Sequence, residues 1–444
     1  MKPVWQIASV VALATWCVVG AQATLYPAHP QLPTSRVETG MWSTPVTGRR
    51  IVVPVTTDAD KNGIALQTAL DEAQYGDAVI LRPGATYRLG SIELRKKNGT
   101  GWITIESAAV DAGLPSEGNR VSSADSQFMP RLVSPGWNAP VVVTEPGAHN
   151  YRLIGLNITK DDPSVVVQEL VVIDAQANVD PSTIQRLSDF PHDIIIDRCY
   201  IHGLPKNDLK RDVRLHCFSC AIVDSYLSEA HVVGQDAQAI MFGGQNIKIK
   251  NDYIEGAGEN LFGADYLSLQ TSTTIGVPTL TSAKLSTTQN LGVGMGISFW
   301  NGVRNLYTTV RSIGGNVVSY DSLPEVPSSD ATVYWGLIPT DVDISHNYLA
   351  KRLEWNPSDP SYNGYHPLVK NIFELKSGRR IWFHKNVLEH SWPDGQDGYA
   401  VLFTVKNQYN QCYFCAVEDI TFEGNIIEDA TFGMQFLATD YAAP

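Results

Sequence analysis

The chain is short of cysteine, of charge and of long apolar runs. Its 444 residues include 6 cysteines and 18% charged residues, with a formal net charge of −13. The acidic balance argues against a nucleic-acid partner, which calls for a basic face. After residue 20 no segment is apolar enough to cross a bilayer, so no stable membrane insertion is expected. With 43% hydrophobic residues the chain can still bury one large core.

The one long apolar run is N-terminal. Met1-Lys2 precedes the stretch Val4–Gly20, and Ala21-Gln22-Ala23 follows it. This is the basic start, apolar stretch and small-residue site of a secretory signal spanning 1–23, cleaved before Thr24. The mature protein is therefore expected outside the cell or in a periplasm, as a monomer.

Against these absences stands a repeat. Its clearest copies are Asp193-IIIDRCYIHG, Asn246-IKIKNDYIEG, Asp341-VDISHNYLAK, Arg380-IWFHKNVLEH and Asp419-ITFEGNIIED, with looser ones from Tyr151 and Cys220. Each contains a small polar residue: Cys199, Ser225, Asp252, Asn347, Asn386 or Asn425. The sites five and three residues before it and two after it are apolar. That alternation is strand periodicity, and the polar residue is a turn former. Recurring short strands stack as coils that bury their faces against one another. The expected fold is all-β: a right-handed parallel β-helix (solenoid), with Ile194, Ile196, Ile247, Ile249, Ile344, Phe383, Ile420 and Phe422 inward. Asn side chains at one corner should bond from coil to coil.

Residues 24–57 read as an extended segment, and 58–444 as the β-helix domain. Within it, 58–75 has the start signal Asp58 and helical spacing at Ile64, Leu66, Ala69, Leu70 and Ala73, suited to a helix capping the open end of the core. Between 266 and 335 the periodicity vanishes into Ser, Thr and Gly, which reads as an insertion lying over one side, with room for a short hairpin near Gly292–Phe299. The C-terminal end shows no cap, so either a neighbour is expected to cover it or the chain is expected to be a piece of a longer one.

Five cysteines remain after the signal. Cys217/Cys220 and Cys412/Cys415 are C-x-x-C pairs, open to a local disulfide, to buried thiols or to zinc. One shared zinc is disfavoured, because at least five coils of about 4.8 Å separate the pairs. Cys199 is expected buried and free.

The segment Gly76-DAVILRPGATYRL, preceded by Leu66-QTALDEA, resembles the N-terminal cap of pectate-lyase-like β-helix proteins. Asp193-IIIDRCYIHG, Ala221-IVDSYLSE, Gly258-ENLFGAD, Gly336-LIPTDVDISHNYL, Leu353-EWNPSDPSY, Val369-KNIFELKSGRR and Asp394-GQDGYAVLFTVKNQ resemble a group of secreted bacterial proteins of that superfamily. Apart from 266–335, the resemblance covers most of residues 60–430. It implies the fold and an action on polysaccharide. Ile194–Arg198 resembles the strand in which true pectate lyases carry Trp-Ile-Asp-His, but Ile replaces Trp and Arg198 replaces His. Asp197 is kept, and is a calcium ligand by analogy alone. The aspartate and Gly-His-Gly motifs of polygalacturonases are absent.

Chemistry must sit on outward residues and loops. Glu259-Asn260 and Asp265 fall in a Gly-punctuated loop. On the strand after it, period two places Lys370, Glu374 and Lys376 on one side, either as a surface ion-pair ladder or as a base flanked by cations. Proton abstraction beside a uronate carboxyl needs such a base and a cation, from Lys or from calcium, whereas hydrolysis needs two carboxyls about 5–9.5 Å apart. Gln235-Asp236 and Gln396-Asp397 repeat before two strands, as turn caps or as an edge for sugar hydroxyls. Trp355, Tyr365, His366 and Trp392 lie in loops, as sugar platforms or as lids over the core. The expected function is cleavage of an extracellular or cell-wall polysaccharide by a lyase or hydrolase route. The competing class is a non-catalytic carbohydrate-binding, adhesive or structural β-helix.

Overall fold

The computed structural model describes residues 30–136, 139–163, 167–175, 187–264, 267–300, 302–406 and 412–437. Residues 1–23, read above as a signal sequence, and Asp265 lie outside these residues. Among the described residues no helix is long and apolar enough to cross a membrane.

The chain winds through three parallel ladders. The first begins at Arg50–Val52 and ends at Val417–Glu423; the second runs from Thr86–Arg88 to Ile426–Ala430, the third from Ile92–Leu94 to Phe432–Leu437. The second is a nine-stranded sheet. The long strands Arg211–Val223 and Gln238–Lys250 pass from the third ladder into the first and fuse these two into one 17-stranded sheet. Register follows the repeat: Ile196, Ile222, Ile249, Ile344, Phe383 and Phe422 are successive partners in the first ladder. Ile194, Ile196, Ile247, Ile249, Ile344 and Phe383 are buried in the shared core, while Ile420 and Phe422 in the last coil are partly covered. This is the parallel β-helix that the spacing predicts.

Helix α1 (Ala59–Glu72) is capped by Asp58, whose carboxylate accepts from the amides of Asp60 and Lys61. Its buried face, Leu66, Ala69 and Leu70, closes one end of the core. The fit is close: a Cβ added at Gly63 would lie 2.0 Å from the carbonyl oxygen of Arg88.

The polar column is continuous. The amides of Cys199, Ser225, Asp252, Asn347 and Asn386 each donate to the side chain one coil on, at 2.6–3.1 Å. The Nδ2 groups of Asn347, Asn386 and Asn425 donate to the carbonyls of Ile249, Ile344 and Phe383. Each residue preceding the column has positive φ: 48° at Arg198, 56° at Asp224, 59° at Asn251 and His346, 55° at Lys385 and 61° at Gly424. Left-handed backbone costs about 1–2 kcal/mol in a residue with a Cβ, and the buried bonds of the column hold the turn in place. Cys199 is a free, buried thiol, its pKa pushed up to about 12 by burial.

Asp252 is the exception. It is fully buried, its Oδ2 makes no hydrogen bond among the described residues, and burial raises its pKa well above the usual carboxylate range. A carboxyl raised in the fold contributes fully below its unfolded pKa of about 3.9 and loses stability as pH climbs toward the folded value. Asp252→Asn, which restores the asparagine of the later coils, is therefore expected to stabilise by about 1–3 kcal/mol at pH 8 and far less at pH 4. Denaturant midpoints at the two pH values measure this, and equal gains at both would contradict a buried neutral acid.

Residues 267–337 form a unit of their own. Strands Leu267–Ile275, Ser282–Leu285, Gly296–Trp300, Asn305–Gly314, Val317–Tyr320 and Thr332–Leu337 pair antiparallel and close into a barrel. Ile297, Phe299, Leu306, Val310, Val318, Val333 and Trp335 fill it. The expected formless insertion with a possible hairpin is thus a domain with its own core. It interrupts the sequence but not the ladder, since Ile249 pairs directly with Ile344. Arg379 pins it, donating from Nη1 to Gly294 O at 2.7 Å and pairing through Nε with Glu418, which also accepts from Tyr307.

Both C-x-x-C pairs are closed as local disulfides, Cys217–Cys220 and Cys412–Cys415.

Candidate functional site

The outer face of the third ladder gathers most of the predicted catalytic residues. Glu169, Arg211, Gln238 and Glu259 are register partners on four successive coils. Glu259 and Asn260 are not in a loop: they open the strand Glu259–Gly263. The turn Gly256-Ala257-Gly258 before it packs against the neighbouring coil, where a Cβ at Gly258 would sit 2.4 Å from Ala237 O. On the next coil the strand is only Phe373–Leu375. Ile372 joins the core, so the strict alternation from 370 to 376 breaks there, yet Lys370, Glu374 and Lys376 still converge.

Lys370 Nζ lies 2.6 Å from Glu259 Oε1, 3.0 Å from Asp236 Oδ2 and 3.6 Å from Glu374 Oε2. Lys376 Nζ lies 3.3 Å from Glu374 Oε1 and over the ring of Phe262. Gln238 donates to the other oxygen of Glu259 at 2.8 Å. The cluster is recessed: side-chain exposure is 0% for Glu259, 2% for Glu374, 7% for Lys370, 16% for Lys376 and 43% for Asp236. Any ligand must therefore meet it at Lys376 and Asp236. Burial, and then the charge of Glu374, raises the Glu259 carboxyl against the pull of Lys370. Burial pulls the Lys370 ammonium down, but Glu259, Glu374 and Asp236 outweigh it and hold the group up. Glu374 Oε2 is buried and forms no hydrogen bond among the described residues.

The other predicted residues scatter. Asp236 joins the cluster; Gln235 is exposed, and Gln396 and Asp397 hold the equivalent turn further along the stack. Trp355 is 2% exposed and packs with Ala257 and Val369, where Tyr365 and Trp392 lean on it. It is a lid on the core and offers no platform for a sugar. His366 is exposed and bonds Asp394 at 2.8 Å. Asp197 does not suit a metal. It is fully buried, and both its oxygens are taken by guanidinium groups, from Arg152 at 2.7 Å and Arg198 at 2.9 Å. A cation would have to displace two cations there. The Arg198 that stands where pectate lyases carry His supplies half of that neutralisation.

A second polar network was not legible in the repeat. Tyr365 OH bonds Asp208 and His231; His231 Nε2 lies 3.0 Å from Glu229; Arg352 bridges Glu229 and Glu255, each at 2.7 Å; Tyr253 OH donates to Glu255 at 2.9 Å. Burial first, against the opposing pull of Arg352, raises the Glu255 carboxyl. The only available signal was the column three residues after the polar site, which reads His202, Ser228, Glu255, Ala350, Glu389 and Glu428. Among the described residues, Glu389, His390 and Asp429 bring metal-binding atoms within 4.8 Å of one another. That trio includes a ring nitrogen, unlike the all-oxygen sets calcium prefers.

No family model matches the chain, and no curated protein matches its sequence. Among solved structures it is similar to a Paenibacillus alginate lyase, at 11% identity and TM-score 0.38, over 88% of this chain and 99% of that one. A Geobacillus virus E2 protein gives 9% and 0.38, over 87% and 62%. A Yersinia enterocolitica exopolygalacturonase gives 10% and 0.34, over 87% and 64%. Likenesses this remote carry nothing about the reaction. The three ladders, the polar column and the capping helix speak for themselves: the chain is a parallel β-helix with an antiparallel barrel set into it.

Proposed function

We propose that the protein acts on an extracellular polysaccharide at the outer face of the third ladder, with Glu374 as base and Lys376 as the cation meeting a sugar carboxylate. One observation carries this reading. Glu374 holds a buried carboxylate between two ammonium groups, Lys370 on its Oε2 and Lys376 on its Oε1, and one of these, Lys376, reaches the surface. Clustered buried charges with one member at the surface are what acid–base sites are built from. Glu374 would take the proton beside the sugar carboxyl while Lys376 offsets the charge that develops. Glu259, itself held by Gln238, and Asp236 hold Lys370 and so position Glu374. The signal sequence supports an exported protein, for which such a substrate is at hand.

The test is incubation of the mature protein with acidic and neutral glycans, with and without calcium. Unsaturated products absorbing in the ultraviolet identify a lyase; new reducing ends without them identify a hydrolase. Glu374→Gln combined with Lys376→Ala is expected to lower turnover by at least about 10²-fold. Full activity in a folded double variant would sink the assignment. Absence of turnover on every glycan would leave a carbohydrate-binding or adhesive β-helix.

A further inference from the structure

The outer side of the second ladder carries a depression of about 420 Å³, within the size range of small-molecule sites. One column of the repeat sets its floor. Glu255, Ala350, Glu389 and Glu428 are register partners on successive coils. Ala350 is the small residue between two glutamates, and the hollow opens above it. One wall is the column Tyr226, Tyr253 and Tyr348. These rings stack on each other, with centroids 4.3 and 5.7 Å apart, so the column presents edges and hydroxyls instead of ring faces.

The floor is rigid, because Glu255 is held by both Tyr253 and Arg352. Two nearby cations are already committed. Lys351 Nζ turns inward onto the carbonyls of Gly256, Ala257 and Gly258, and Arg352 is spent on Glu229 and Glu255. Glu354 and Glu389 line the mouth. A carboxylate ligand would face these acids with no counter-charge but His390, which is already set between Glu389 and Asp429, and a flat aromatic ligand would meet the edges of the stacked tyrosines. A ring rich in hydroxyls and free of acid matches what is offered: the carboxylates of Glu354 and Glu389, the Tyr348 hydroxyl and a gap above Ala350 where a larger side chain would otherwise stand.

We infer that this depression is a binding subsite for neutral pyranose units of a glycan, separate from the third-ladder face. Its position on another ladder, away from Lys370 and Glu374, makes it a holding site for the chain and not a second place of cleavage. The site does not depend on the third-ladder assignment being correct.

The experiment is calorimetric titration, with ligand-observed NMR, of the full chain with neutral hexasaccharides of glucan, mannan and galactan types. Oligogalacturonate and chitosan oligomers serve as charged arms. At least one neutral oligomer is expected to bind, and Ala350→Leu, which fills the hollow, should weaken it about tenfold or more. Glu389→Ala, at a partly exposed position, should do the same and keeps the test valid if the first variant does not fold. Lys376→Ala should leave this binding unchanged while lowering any cleavage, so the two readings fail independently. No neutral oligomer bound at about 10 mM, preference for a charged oligomer, or wild-type binding in folded variants at both positions would overturn the inference.

Discussion

Replacing Lys351 by methionine is expected to destabilise the coil stack by about 4–6 kcal/mol. Its ammonium is fully buried and donates to Gly256 O at 2.8 Å, Ala257 O at 2.8 Å, Gly258 O at 3.0 Å and Asn260 Oδ1 at 3.1 Å. Methionine fills a similar volume but donates nothing, so the three ammonium N–H groups that these four acceptors share are lost together, and only Ala257 O keeps a second donor, the amide of Lys370. Each unmet buried group costs about 1–3 kcal/mol, with some relief from relaxation. The turn concerned leads directly into Glu259, so the variant should also loosen the Lys370 cluster. Urea denaturation measures the first effect and amide exchange at 256–260 the second. A loss below about 1 kcal/mol would show that these carbonyls are satisfied in another way.

Asp197→Ala is the second large effect, at about 3–5 kcal/mol. Removing the carboxylate leaves two buried guanidinium groups, Arg152 and Arg198, without their counter-charge. Arg152 also donates to Thr39 O at 2.9 Å and to Thr44 Oγ1 at 3.0 Å, tying down the N-terminal segment. The variant should therefore expose the backbone near Thr39 to proteases before the rest of the helix unfolds. Arg152→Met placed on top of Asp197→Ala should recover part of the loss, because it removes one uncompensated charge. If the double variant is less stable than the single, the ion pair is not the source of the effect. A calcium role for Asp197 predicts something else, namely metal-dependent melting of the wild-type protein that Asp197→Ala abolishes.

The coils were legible because every coil solves the same problem. Ile196, Ile249 and Ile344 are alike since they stack on one another, and Asn347, Asn386 and Asn425 are alike since each bonds the next. The left-handed turn before each polar site was not legible. Arg198, Asp224, Asn251, His346, Lys385 and Gly424 share a backbone conformation without sharing a side chain, as the column behind them holds the turn. The barrel escaped for a related reason: its Ser- and Thr-rich strands alternate, but each meets a different antiparallel partner, so nothing recurs along the chain.

The candidate site divides in the same way. That Lys370, Glu374 and Lys376 would lie on one side was readable from local spacing. Their meeting with Glu259 and Asp236, more than 100 residues earlier, depended on which coils the barrel insertion makes neighbours, and only the ladder register decides that. Burial was equally hidden. Asp197 was open to a metal by analogy and Trp355 to a sugar as much as to a lid over the core, because residue type states what a side chain can do and not what already occupies it. By itself the sequence determined the repeat, the inward apolar columns, the asparagine ladder and the capping helix, all of which rest on contacts between like positions. The tertiary structure alone decided which charges neutralise one another, which aromatics are covered and where a hollow is left, since these depend on unlike residues brought together from distant coils.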